Sequence, residues 1–117
     1  MAESVGDGCY CPYFQHSIEV VGRRWTGSIV RVITDRPRRF GEIRSEIPGL
    51  SDRLLTARLG ELTDEGIVER LEGDGFVLYG LTDKGRDLGP VLDAVVGWAR
   101  AHASDVPAAA PGRIQSA

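Results

Sequence analysis

The feature that most constrains this chain is a change of hydrophobic period at residue 66. Before it, apolar residues recur at helical spacing. After it they alternate, on either side of Gly73-Asp74-Gly75. A period near 3.6 buries one face of a helix, a period of two buries one face of a strand, and an Asp-Gly step between two strand-like runs favours a tight hairpin. A mostly helical domain carrying one β-hairpin follows.

Four helical stripes precede the hairpin. Phe14, Ile18 and Val21 predict a helix that Pro12 opens and Gly22 ends. Trp25, Ile29, Val32 and Ile33 predict a second, broken at Pro37. Phe40, Ile43 and Ile47 predict a short third, stopped by Pro48-Gly49. Ser51 is a good N-cap for a fourth, with Leu55, Leu59 and Leu62 on its inner face and Gly66 at its end. The strands follow at 67–71 and 76–81. Thr82 then caps a last helix reaching about His102, with a broad stripe of Leu88, Val91, Leu92, Val95, Trp98, Ala99 and His102 and a kink at Pro90. Two helices joined by a short turn and followed by a hairpin describe a winged helix-turn-helix, with the helix-turn-helix at 40–65 and the wing at 67–81. The fold class is α+β, mostly α. The expected organisation is a flexible N-terminus over 1–10, one domain over 11–102 and a disordered tail over 103–117.

Charge sharpens this. The chain of 117 residues has 14 basic and 17 acidic side chains, a net of -3. Nucleic-acid binders are usually basic, so the total argues against one. Its distribution reverses that. Residues 23–58 hold nine arginines and four acids, a surplus of five positive charges, and the rest is acidic. No apolar run approaches the ~20 residues that span a bilayer, and the acidic start has no signal-like apolar stretch. A cytoplasmic protein without membrane contact is expected. No phosphate loop, nucleophile elbow or metal motif is present, so neither an enzyme nor a cofactor is expected. Cys9, Cys11, His16 and His102 lack the spacing of a zinc site. Trp25 and Trp98 read as core or interface packing, with a ligand cage between them as the alternative.

The ordered motifs resemble the HxlR-type winged-helix transcriptional regulators of bacteria. They are Cys11-Pro12, Gly22-Arg23-Arg24-Trp25-Thr26, Arg39-Phe40-Gly41-Glu42-Ile43 and Ile47-Pro48-Gly49-Leu50-Ser51. They continue with Leu55-Thr56-Ala57-Arg58-Leu59-Gly60-Glu61-Leu62, Glu65-Gly66-Ile67-Val68, Tyr79-Gly80-Leu81-Thr82-Asp83-Lys84-Gly85 and Pro90-Val91-Leu92. Together they cover roughly residues 11–100. The resemblance implies a homodimer on double-stranded operator DNA, with N- and C-terminal dimerisation helices. It also implies a thiol sensor in some members at the Cys-Pro position, here Cys11; a structural cysteine is the alternative. Two positions depart from the family pattern. Gly60 stands where a polar, often basic, residue is usual, and the wing Glu72-Gly73-Asp74-Gly75 is shorter and less basic.

On the fourth helix, Arg53, Thr56, Ala57 and Gly60 fall opposite the leucines. Arg53 can reach a guanine edge, while Thr56 and Ala57 present methyl groups to thymine. Ser51, Asp52 and Arg58 complete the expected DNA-binding set on this helix. Arg36, Arg38 and Arg39 precede the helix-turn-helix where phosphates should pass. In the wing, Glu72 and Asp74 would repel a phosphate, leaving Arg70 as its basic candidate. Cys11 sits where a helix dipole favours a thiolate, and Cys9 is a second redox candidate through an intersubunit bridge. A small-molecule or electrophile effector is the expected further partner. The alternatives are a winged-helix module for protein contacts, and a regulator switched by a ligand instead of a thiol.

Overall fold

The computed structural model describes residues 9–105. Its elements are α1 (Pro12–Val21), α2 (Thr26–Val32), α3 (Phe40–Glu46), α4 (Asp52–Asp64), β1 (Val68–Gly73), β2 (Phe76–Leu81), α5 (Asp83–Arg86) and α6 (Leu88–Ala101), closed by a 3-10 turn (Ala103–Asp105). This is the winged helix-turn-helix expected from the change of period. The 3-10 turn falls at the start of the stretch expected as a tail. Residues 1–8 and 106–117, also expected to be loose, lie outside the described residues.

Each boundary has a local cause. Pro12 is the first residue of α1, and the Cys11 thiol caps it, accepting from the Phe14 N–H at 3.4 Å. Ser51 caps α4 through its hydroxyl, which accepts from the Leu54 N–H at 3.1 Å. The turn between α3 and α4 needs Gly49 at φ 86°, a left-handed conformation that costs glycine little. The hairpin is antiparallel, with Val68 opposite Leu81 and Gly73 opposite Phe76, so Asp74 and Gly75 alone make the turn. An isolated bridge adds a further partner to β2. The Arg38 N–H donates to the Tyr79 carbonyl at 3.0 Å, and the Tyr79 N–H donates to the Arg38 carbonyl at 2.8 Å. The loop before α3 is thereby fastened to the wing.

The core follows the stripes. Ile29, Val30 and Ile33 of the α2 region meet Ile43, Ile47, Leu50, Leu55, Leu59 and Leu62, and Ile67, Val68, Leu81 and Leu92 close it. The outer helices differ from expectation in two respects. First, the single C-terminal helix kinked at Pro90 is in fact two helices, α5 and α6, separated at Asp87. In a continuous helix the Pro90 ring would strike the carbonyl four residues earlier, and Pro90 would withhold an N–H. Restarting the helix places Pro90 in a first turn, whose N–H groups have no intrahelical partner anyway. Second, the terminal stripes are not core within one chain. No residue of α1 is buried, and only Leu92 of α6 is. Tyr13, Phe14, Ile18, Val91, Val95 and Trp98 all stand exposed.

Candidate nucleic-acid interface

Leu55, Leu59 and Leu62 pin one side of α4 into the core, so its other side faces solvent. Arg53, Thr56, Ala57 and Gly60 are exposed there, as the helical wheel predicts. Ser51 spends its oxygen on the Leu54 N–H, which leaves the hydroxyl proton free to donate outward. Asp52 is held by the Arg44 guanidinium at 2.9 Å. Thr56 and Gly60 share a groove of about 290 Å³ between α4 and the wing with Phe40, Arg70 and Tyr79.

The arginines divide sharply. Arg23 and Arg58 both reach Glu61, at 3.2 and 3.3 Å, and Arg58 Nε also donates to the Arg24 carbonyl at 2.8 Å. Arg31 pairs with Asp93, Arg44 with Asp52, and Arg38 with Asp35 at 3.3 Å. Among the described residues, Arg24, Arg36, Arg39 and Arg53 make no ion pair with a carboxylate. Arg24 lies over the Trp25 ring, 5.4 Å from its centroid, and Arg39 lies over Phe76 at 5.2 Å.

Two of the arginines expected at a phosphate or in the groove also make contacts within the chain. Arg58 is only half-exposed and ties α4 to the start of α2. Arg38 is similarly half-buried, its Nε enclosed without a partner and its backbone in the bridge to Tyr79. Arg70, the wing's basic candidate, is paired with Glu72. Its charge is held more firmly than usual, first by the Tyr79 hydroxyl and then by Glu72. At the start of α3, the Arg39 N–H donates to Glu42 at 2.9 Å, and this bond chiefly holds the Glu42 carboxyl below its usual range. The Arg39–Phe76 stack and the Arg38–Tyr79 bridge were not anticipated from the sequence. Each joins residues some forty apart, and the only sequence signal was a glycine facing an aromatic residue across the hairpin.

The thiols lie at the other end of the molecule's chain order. Cys9 is exposed and Cys11 half-exposed. His16 of α1 contacts Glu65 at 3.1 Å, and Lys84 donates to the Glu65 carbonyl at 2.6 Å, so this cluster joins α1 to the end of α4. Among the described residues no three His, Cys, Asp or Glu side chains gather as they would around a metal ion. No helix there is long and apolar enough to cross a membrane.

Known proteins place this geometry. The family model described as HxlR-like helix-turn-helix matches residues 20–106. An uncharacterized HTH-type transcriptional regulator of Bacillus subtilis, YvaP, is 39% identical over 92 residues, covering 76% of this chain and 85% of its own. The HTH-type transcriptional regulator YodB of the same organism is 40% identical over 92 residues, covering 76% and 82%. The reduced form of YodB superposes with a TM-score of 0.72 at 38% identity, over 78% of this chain and 92% of that one. YodB has also been solved bound to quinone and after diamide treatment, with TM-scores of 0.71 and 0.69. The redox regulator HypR in its reduced form gives 0.72 at 31% identity, over 77% and 92%. With its core, its exposed α4 face and its two-stranded wing, the chain belongs to the HxlR-like helix-turn-helix family of transcriptional regulators.

Proposed function

We propose that the chain is a homodimeric repressor that reads a pseudo-palindromic operator and is released from it by modification of Cys11. The observation that carries this reading is the α4 face. Arg53, Thr56 and Ala57 stand exposed at the helix start, and Arg36 and Arg39, exposed ahead of the helix-turn-helix, make no ion pair with a carboxylate among the described residues. A helix entering the major groove reads base edges through its N-terminal residues, while flanking cations take the phosphates. The unburied apolar stripes on α1 and α6 support a two-fold dimer, which sets half-sites about 34 Å apart.

Cys11 fits a switch through its position. Its sulfur caps α1, so adduct formation removes an N-cap from a helix that carries part of the exposed apolar face. Quinone and diamide are the reagents applied to YodB, and both act on thiolates.

The test is fluorescence anisotropy on the chain's own upstream DNA at several salt concentrations. Arg53→Ala should relax sequence preference. Arg36→Ala should weaken all sequences alike and flatten the log–log salt slope by about 1.8, one phosphate contact being lost in each protomer. Cys11→Ser retains a capping oxygen, so it should bind normally and resist release by diamide. Binding without salt dependence, or no binding in either redox state, overturns the DNA reading. Diamide release that persists in Cys11→Ser overturns the switch.

A further inference from the structure

We infer that the wing acts on DNA indirectly: Phe76 is a positioning residue that holds the Arg39 guanidinium ready for a phosphate. The inference deepens the DNA reading above and rests on it.

The wing offers nothing of its own to a phosphate. Its arginine, Arg70, is paired with Glu72, and Glu69 and Asp74 are exposed acids on the same hairpin. Yet its tip displays an aromatic ring, 38% exposed, where a polar residue would be cheaper. That ring is not loose. A Cβ on Gly73 would lie 2.5 Å from Phe76 Cζ and 2.8 Å from Cε1, so the ring lies across the glycine backbone of the facing strand. An aromatic residue covering a cross-strand glycine is a recognised way to fix a hairpin edge. Phe76 is thus held by its register and by the absence of a side chain opposite.

Arg39 is held with it. Its N–H is bonded to Glu42, and the preceding residue is bridged to Tyr79 of the same wing. Its guanidinium then lies 5.2 Å from the Phe76 centroid. This contact differs in kind from the pairs made by Arg23, Arg31, Arg44 and Arg58. A carboxylate uses up N–H donors and cancels the charge. A ring attracts the flat cation and leaves its donors and charge available at the edge. The wing therefore restrains a long side chain before DNA arrives, so less rotamer freedom is lost on binding.

Two measurements test this. In the free protein, NMR should show Arg39 side-chain protons shifted upfield by the ring, and Phe76→Leu should abolish the shift in a protein that circular dichroism shows to be still folded. On operator DNA, Phe76→Leu should weaken binding about two- to fivefold per half-site, the range one cation–π contact supplies. Phe76→Tyr should restore both readouts. Arg39→Ala should flatten the salt slope by about 1.8, one phosphate contact being lost in each protomer, and adding Phe76→Leu to it should cost nothing further. Absence of the upfield shift, or equal losses from Phe76→Leu with and without Arg39, overturns the inference. Wild-type protein that shows the shift but binds no DNA refutes the DNA reading itself.

Discussion

Replacing Trp98 by alanine is expected to dissolve the proposed dimer while leaving the protomer folded. Trp98 is 64% exposed in the single chain, is not among the residues packed against the core, and touches the His102 ring at a centroid distance of 5.5 Å. A tryptophan takes up to about 250 Å² out of water when buried, so about 160 Å² of it awaits cover. At about 25 cal/mol per Å² that is worth about 4 kcal/mol, of which alanine forfeits about 3. A two-fold interface contains the residue twice, so full coverage makes the loss about 6 kcal/mol, some four decades in the dimer dissociation constant. Half coverage gives about two decades. Sedimentation equilibrium over a wide concentration range reads this directly, and circular dichroism reports whether the protomer stays helical. The variant should also lose operator affinity, because one recognition helix reads only one half-site. A Trp98→Ala protein that dimerises like the wild type would refute the assignment of the α6 face. So would a wild type that is monomeric at concentrations saturating its operator.

Two further outcomes follow from local geometry. Gly85→Ala places a Cβ 2.2 Å from the Ile67 carbonyl oxygen and 3.1 Å from a Leu81 methyl, wedging α5 off the base of the wing. Backbone cannot rotate aside, so a loss of about 2–3 kcal/mol is expected, read as a lower urea midpoint at unchanged slope. Glu42 has a depressed folded pKa, caused first by the Arg39 N–H and then, against some desolvation, by the nearby Arg36, Arg39 and Arg38 charges. Its contribution is therefore present above the ordinary value of 4.5 and is lost as pH falls through the lower folded one. Glu42→Gln should flatten that acidic part of the stability profile, and an unchanged profile below about pH 4.5 would contradict the cause assigned.

Most of the architecture was legible because its determinants are local. Leu55, Leu59 and Leu62 are four and three residues apart, Pro48-Gly49 is contiguous, and the Asp74-Gly75 turn fixes its own register. Pro90 shows where local rules stop. They say that a helix cannot run through it undisturbed, and both a kink and a restart satisfy that. The choice made at Asp87 goes with contacts across the fold, since Gly85 packs on Ile67. The fate of the arginines was still less legible, because Arg58 finds a carbonyl 34 residues away and Arg39 a ring 37 residues away.

This matters for what the basic segment can do. Its surplus of five positive charges is a sum over nine arginines, and a sum does not say which of them can meet a phosphate. Five are already committed to carboxylates: Arg23, Arg31, Arg38, Arg44 and Arg58. Of the four that remain, Arg24 and Arg39 are held by aromatic rings, which keep them in place without cancelling their charge. Four cations per protomer bound what this segment contributes to the electrostatics of the proposed dimer. With every one on a phosphate, the slope of log K against log salt reaches about -7. A steeper measured slope would mean that some of the five ion pairs open on DNA, or that basic groups outside the segment, such as Lys84 and Arg100, reach phosphates. A slope at or inside the bound would mean the division made by the free protein survives in the complex.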